Sequence, residues 1–300
     1  MSLRALYDVA APAKLNLFLH VVGQRADGYH LIQSAFVLID WCDTLHFESR
    51  SDGQLVRHDR GAKLPDNDLC LRAARALQRE SATAAGADIS IDKQVPWGAG
   101  MGGGSSDAAS TLLALNRLWD LNWPLSRLLT IGLALGADVP FFLAGRNAWV
   151  EGIGERMTPL SIPPHRFAVL KPAASIATEA VFTSPELVRN TDAAILAGFL
   201  ADVGIEGLMH GFGRNDLQPP AMARCDEVVE AARLLEARFG NSRMTGSGSA
   251  VFARVSAEEG KGSGAESPPE ATWPADLPPG WVGRMCRSLE QHPLAGWASD

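Results

Sequence analysis

The stretch VPWGAGMGGGSSDAAS, residues 95–110, holds five glycines between Gly98 and Gly104 and leads directly into an apolar-striped segment. Without a Cβ, glycine lets backbone amides approach a phosphate and take turns closed to other residues. The segment behind it predicts a helix over 106–119, with Ala108, Ala109, Leu112, Leu113, Leu115 and Leu118 as the buried stripe. Free amides at the start of such a helix, aligned with its peptide dipoles, favour a negative group. Ser105 and Ser106 add hydroxyls suited to a phosphate or a magnesium ion. The expected cradle for a di- or triphosphate is Pro96, Trp97, Gly98, Ala99, Gly100, Met101, Gly102, Gly103, Gly104, Ser105 and Ser106.

Two commoner glycine loops do not fit. A Walker A loop needs a lysine before its Ser or Thr, and none stands there. Gly98, Gly100 and Gly103 have the spacing of a dinucleotide fingerprint. Asp120, at the distance of its ribose-binding acid, falls where a helix ends rather than a strand.

Upstream, Ala13, Leu15, Leu17, Leu19 and Val21 alternate with Lys14, Asn16, Phe18 and His20, which predicts a strand with one buried face. Asp27-Gly28 reads as a turn, and strands are expected over 32–39, 44–48 and 87–92. Residues 49–65 read as irregular surface, and Asn67 or Asp68 as a helix cap. A second helix is expected over 126–135. Asp138 follows it on a bend, with Pro140 holding Val139 extended. Farther on, a strand over 166–170, helices over 192–199 and 224–239, a glycine turn over 244–249 and a strand over 250–255 are expected. Ile162-Pro163-Pro164-His165 divides the chain into 1–163 and 164–300. Residues 258–279, rich in Gly, Ser, Pro and Glu, read as a flexible surface insertion, and order resumes near Trp281.

Composition limits the classes of function. Among 300 residues, 46% are hydrophobic and the net charge is -7, which suits a globular protein and disfavours a nucleic-acid backbone as partner. There is no signal pattern and no membrane-length apolar run, so a cytoplasmic protein is expected. Cys42, Cys70, Cys225 and Cys286 are far apart and read as reduced thiols, without zinc-site spacing. Transfer of a phosphoryl group to an alcohol needs a cation and a base near the cradle. Lys14 and Asp138 are the candidates.

PAKLNLFLHVVGQRADGYH (12–30), PWGAGMGGGSSDAA (96–109), GADVPFFLAG (136–145), GRNDLQPPA (213–221) and MTGSGSAVFA (244–253) together resemble the GHMP kinase superfamily. The first and third resemble the branch acting on a cytidine diphosphate-linked methylerythritol. The resemblance implies an α+β, two-domain fold. The first domain would be like domain 2 of ribosomal protein S5, and the second ferredoxin-like. It implies phosphorylation of the 2-hydroxyl by ATP with Mg2+, in the non-mevalonate isoprenoid precursor pathway. It implies Asp138 as base and Lys14 as its partner, and substrate contacts from Asn16, Tyr29, His30, Asp138, Thr178, Phe182 and Asn215. Tyr29 and Phe182 would enclose the cytosine, and Gly246 and Gly248 would support the glycine loop. Ser105 or Ser106 stands as the magnesium ligand. Another GHMP substrate, or a non-catalytic nucleotide-binding regulator, stays open at this point. The expected state is a monomer or weak homodimer.

Overall fold

The computed structural model describes residues 3–61, 63–255 and 277–300. The expected insertion over 258–279 lies outside these residues except for 277–279. In the first lobe, β1 (Ala5–Gln24) and β2 (His30–Arg50) form a long antiparallel hairpin. The Asp27-Gly28 turn closes it, and Gly28 takes a φ of 90° that L side chains rarely adopt. β3 (Leu55–Arg60) runs parallel to β4 (Gly86–Asp92), which pairs with Thr44–Arg50 of β2. β5 (Ala148–Gly152) pairs with Ile32–Phe36 of β2, and β6 (Arg156–Pro159) pairs with β5.

Four helices pack on this sheet: α1 (Leu69–Ser81), α2 (Gly103–Leu118), α3 (Leu125–Leu135) and α4 (Val139–Ala144). Asp68 caps α1 by accepting from the Leu71 amide at 3.1 Å. Helix α2 is buried on nearly every side, and its Ala and Ser positions let α1 and the sheet approach closely. Leu112 and Leu115 are fully buried there, so truncating either to Ala would cost about 2–5 kcal/mol.

The second lobe has a four-stranded antiparallel sheet of β7 (Arg166–Lys171), β8 (Arg243–Met244), β9 (Val251–Val255) and β10 (Val282–Arg287). Its order, β10-β7-β9-β8, is that of a ferredoxin-like sheet. Helices α5 (Thr178–Phe182), α6 (Leu196–Asp202), α7 (Gly204–Met209), α8 (Gln218–Met222) and α9 (Asp226–Phe239) complete the lobe. Helix α9 buries Val228, Ala231, Ala232 and Leu235, starts with Asp226 and Glu227, and stops at left-handed Gly240. After β10 the chain returns to the first lobe. There the Leu289 amide meets Leu38 O at 2.8 Å, and Leu294 joins the helix-covered core. The result is an α+β fold in two lobes.

Several expectations need correction. β1 is buried on both faces: Lys14, Asn16 and His20 face the meeting of the lobes rather than water. The strands expected over 32–39 and 44–48 are one strand, β2. The span 49–65 contains β3, whose mixed pattern suits its place at the sheet edge. β5 and β6 lie in a stretch that reads as turns. The helix expected over 192–199 is α6, beginning at Leu196. Val139 is not extended but opens α4, because proline is tolerated in a helix's first turn, where its missing N–H would be unpaired anyway. No described helix is long and apolar enough to cross a membrane, and the four cysteines are free.

Candidate active site

Left-handed Gly98, Gly100 and Gly102 bend the glycine loop, and α2 begins at Gly103, inside it. The Ser106 amide makes the helix's first hydrogen bond, to Gly102 O at 2.9 Å. That leaves the Gly103, Gly104 and Ser105 amides at the helix start, with no acidic side chain in the first turn. Such an end attracts anions.

Three neighbours hold the loop. The Lys14 amide donates to Met101 O (2.9 Å), the Ala250 amide to Ala99 O (3.1 Å) and the Ser249 amide to Gly98 O (3.2 Å). Gly100 and Gly246 meet backbone to backbone. A Cβ on Gly100 would lie 2.2 Å from Thr245 O, and one on Gly246 would lie 2.6 Å from Gly100 O. No side chain fits at either position. Thr245 Oγ1 accepts from the Asn16 amide at 3.0 Å and donates to Asn16 Oδ1 at 3.2 Å, linking the turn of one lobe to β1 of the other.

Two cavities meet at this loop. One, of about 500 Å³, lies between Leu64–Leu69, Lys93, Trp97 and the glycines. The other, of about 850 Å³, is walled by Lys14, Asn16, Tyr29, His30, Asp138 and Phe182. Gly98, Gly100, Gly102 and Thr178 line both.

Within the larger cavity, Lys14 Nζ lies 3.6 Å from Asp138 Oδ2 and 2.6 Å from Asn16 Oδ1. Lys14 is buried, and Asp138 is about a third exposed at 31%. Burial pushes the Lys14 pKa down, against the pull of Asp138. Asn16 Nδ2 donates to Ser34 Oγ at 3.0 Å, so Asn16 is oriented as well as buried. Thr178 and Phe182, four residues apart on α5, both face the cavity. The Phe182 ring lies 5.0 Å from the His30 ring, and exposed Tyr29 stands beside them on the cavity wall.

Not every expected residue reaches the cleft. Asn215 is buried and gives its amide hydrogens to Met244 O (2.7 Å) and Gly246 O (2.8 Å), so it shapes the glycine turn instead. Gly246 and Gly248 border the larger cavity. Ser105 borders the smaller one, whereas Ser106 is fully buried and its Oγ has no hydrogen-bond partner among the described residues.

Other residues at the site were given no role by the sequence. Lys93 bridges buried Asp43 and Asp107, with Asp107 Oδ2 at 2.7 Å, while Asp43 Oδ1 accepts the Gln94 (2.6 Å) and Val95 (2.7 Å) amides. This cluster pins the entry to the glycine loop. Burial opposes the charge on Lys93, but Asp107 and Asp43 outweigh it and raise its pKa. Burial also raises the Asp107 pKa, against Lys93 and helped by Asp43. A lone lysine before a loop, or an aspartate after two serines, looks like surface until the fold brings the three together.

A phosphate loop at a helix start, a buried lysine and an aspartate, set between an α+β lobe and a ferredoxin-like lobe, define a small-molecule kinase of the GHMP class. Residues 68–146 match the family model described as GHMP kinases N terminal domain, and residues 199–264 match GHMP kinases C terminal. The chain belongs to the GHMP kinase superfamily, within the 4-diphosphocytidyl-2-C-methyl-D-erythritol kinase family. It is 67% identical to the protein of that name from Methylibium petroleiphilum, over 99% of this chain and 100% of the relative. The namesake from Variovorax paradoxus is 56% identical, again over 99% and 100%. A solved 4-(cytidine 5'-diphospho)-2C-methyl-D-erythritol kinase superposes with a TM-score of 0.71 at 34% identity, covering 84% of this chain and 90% of that one.

Proposed function

We propose that the chain transfers the γ-phosphoryl group of ATP to the 2-hydroxyl of 4-diphosphocytidyl-2-C-methyl-D-erythritol. The products would be the 2-phosphate and ADP, in isoprenoid precursor synthesis. The observation that carries this reading is the junction of the two cavities at one glycine loop, with Lys14 and Asp138 on the acceptor side. The smaller cavity would hold ATP, its phosphates on the loop glycines and the Gly103–Ser105 amides. The larger would hold the acceptor, with the cytosine near Tyr29, His30 and Phe182 and the methylerythritol near Asn16 and Thr178.

Asp138 takes the proton from the acceptor hydroxyl as its oxygen attacks phosphorus. Lys14 holds Asp138 in position and offsets negative charge on the transferring group. Asn16, fixed by Ser34 and Thr245, keeps Lys14 aimed at the cleft. Magnesium, when bound, neutralises charge on the β- and γ-phosphates. Ser105 or Ser106 would be its protein contact, and Ser105 is the one that borders the smaller cavity.

We divide the lobes at 163/164, with the tail after β10 folded back on the first. The proposed assembly state is a monomer or weak homodimer. The free cysteines suit the cytoplasm. The test is ADP release, with product identified by mass, across the cytidine-linked methylerythritol, homoserine, mevalonate and galactose. Turnover with the cytidine-linked alcohol alone is expected. Efficient turnover of another alcohol, or ATP binding with none turned over, would overturn the reading.

A further inference from the structure

Between α5 and α6 the chain has no regular structure, yet one arginine there ties several parts of the cleft together. Arg189 Nη2 donates to Phe182 O (3.0 Å) and Ser184 O (2.9 Å), and Nη1 to Leu187 O (3.1 Å). Its Nε donates across the lobes to His30 Nε2, at 3.2 Å. The same guanidinium therefore holds the backbone of one aromatic ring and the ring nitrogen of the other. Those rings, His30 and Phe182, lie 5.0 Å apart at 35°.

A guanidinium only donates hydrogen bonds and stays charged throughout the working pH range. The His30 nitrogen facing it must therefore carry a lone pair. A proton there would set two N–H groups against each other and two positive charges side by side. The imidazole is consequently neutral, with its single proton on Nδ1, because the bond made by one ring nitrogen decides the state of the other.

We propose that Arg189 is a positioning residue: it fixes His30 as an Nδ1–H donor against Phe182, so the aromatic pair is set for the substrate's base before binding. This rests on the cytidine-bearing substrate proposed above. Burial, and then Arg189, lowers the His30 pKa, in keeping with that geometry. The other charged groups on this wall do not reverse it. Asp27 is paired with Arg25 at 2.7 Å, and Glu179 lies on the cavity wall formed by α5. A preassembled donor and ring face lower the ordering cost of binding a planar base. A cytosine can meet such a donor with its ring-nitrogen or carbonyl acceptor.

The test replaces Arg189 with Met and, separately, with Lys. Lysine keeps the charge but cannot reach a ring nitrogen and three carbonyls with one planar group. The first readout is the 15N signal of His30 in the ligand-free protein across pH. Wild type is expected to show the Nδ1–H tautomer and to resist protonation below the usual histidine pKa. In Arg189→Met the ring is expected to lose that tautomer and to titrate nearer its ordinary value. The second readout is steady-state kinetics. KM for the cytidine-linked substrate should rise ~10-fold or more in both variants, from the loss of a charge-assisted contact. kcat and the KM for ATP should stay near wild type.

An Nε2–H tautomer in wild type, or an unchanged tautomer in Arg189→Met, would overturn the proposal. So would equal losses in kcat and in both KM values, which would mean general unfolding of the cleft. The imidazole measurement needs no substrate, so it judges Arg189 even if the substrate reading fails.

Discussion

Two lysines beside the glycine loop, buried Lys14 and half-buried Lys93, are used in opposite ways. Lys93 is enclosed by two carboxylates, Asp43 and Asp107, and its charge is consumed by them. Among the described residues Lys14 has one carboxylate within 4 Å, Asp138 at 3.6 Å, and its Nζ also meets Asn16 Oδ1 and lies 4.7 Å from the centre of the Phe36 ring. Burial lowers the pKa of Lys14, whereas the carboxylates raise that of Lys93. The difference is the number of anions supplied: a lysine with two is a strut, and one with a single distant partner keeps charge for a ligand.

The contrast breaks most visibly at Asp138. Asp138→Ala should lower turnover on the order of 10²–10⁴-fold, the range of general acid–base catalysis, while ATP affinity stays nearly intact. Near-normal turnover would remove Asp138 from the chemistry. Lys93→Met should act on stability instead. It leaves two buried carboxylates without their cation, at a cost of about 3–5 kcal/mol, readable by urea or thermal unfolding. A variant as stable as wild type would show that Lys93 is no strut.

Gly102→Val should weaken ATP binding ~10-fold or more. Its φ of 72° strains any L side chain, and its Cβ would meet Phe142 Cζ at 2.9 Å and Lys14 Cε at 3.3 Å. Unchanged ATP affinity would contradict the loop's assignment.

The smallest effect is on pH dependence. Lys14, with its pKa below the ordinary 10.5, should lose its charge first, so turnover should fall in a limb starting below pH 10.5. Lys93, with its folded pKa above 10.5, contributes stability that is fully present below 10.5 and lost as pH rises through the folded value. Activity should therefore fail before the fold does. Simultaneous loss would erase the distinction between the two lysines.

The ease of reading these features from sequence follows the same division. The glycine loop was legible because positive-φ backbone is encoded locally, residue by residue. Helix α2 was legible from its apolar stripe, and α9 was expected over 224–239, close to its observed Asp226–Phe239. Lys14 and Asn16 were read as the wet face of a strand. Polar side chains turned toward a cleft between lobes look the same as ones turned toward water. Asn215 was recognised but given a ligand, whereas its amide is taken up by Met244 O and Gly246 O. Asp43, Lys93 and Arg189 lie in no motif, and Asp107 and Thr245, though inside the glycine-rich stretches 95–110 and 244–253, were given no role. Each is a single residue whose partners lie elsewhere in the chain, Thr245 meeting Asn16 across 229 positions.

The most direct measurement is a crystal structure with a non-hydrolysable ATP analogue and the cytidine-linked methylerythritol bound together. The expected result has the phosphates on the Gly98–Ser105 backbone and the acceptor 2-hydroxyl within hydrogen-bond reach of Asp138, in line with the γ-phosphate. A triphosphate bound away from that loop, or an acceptor hydroxyl out of reach of Asp138, would contradict it.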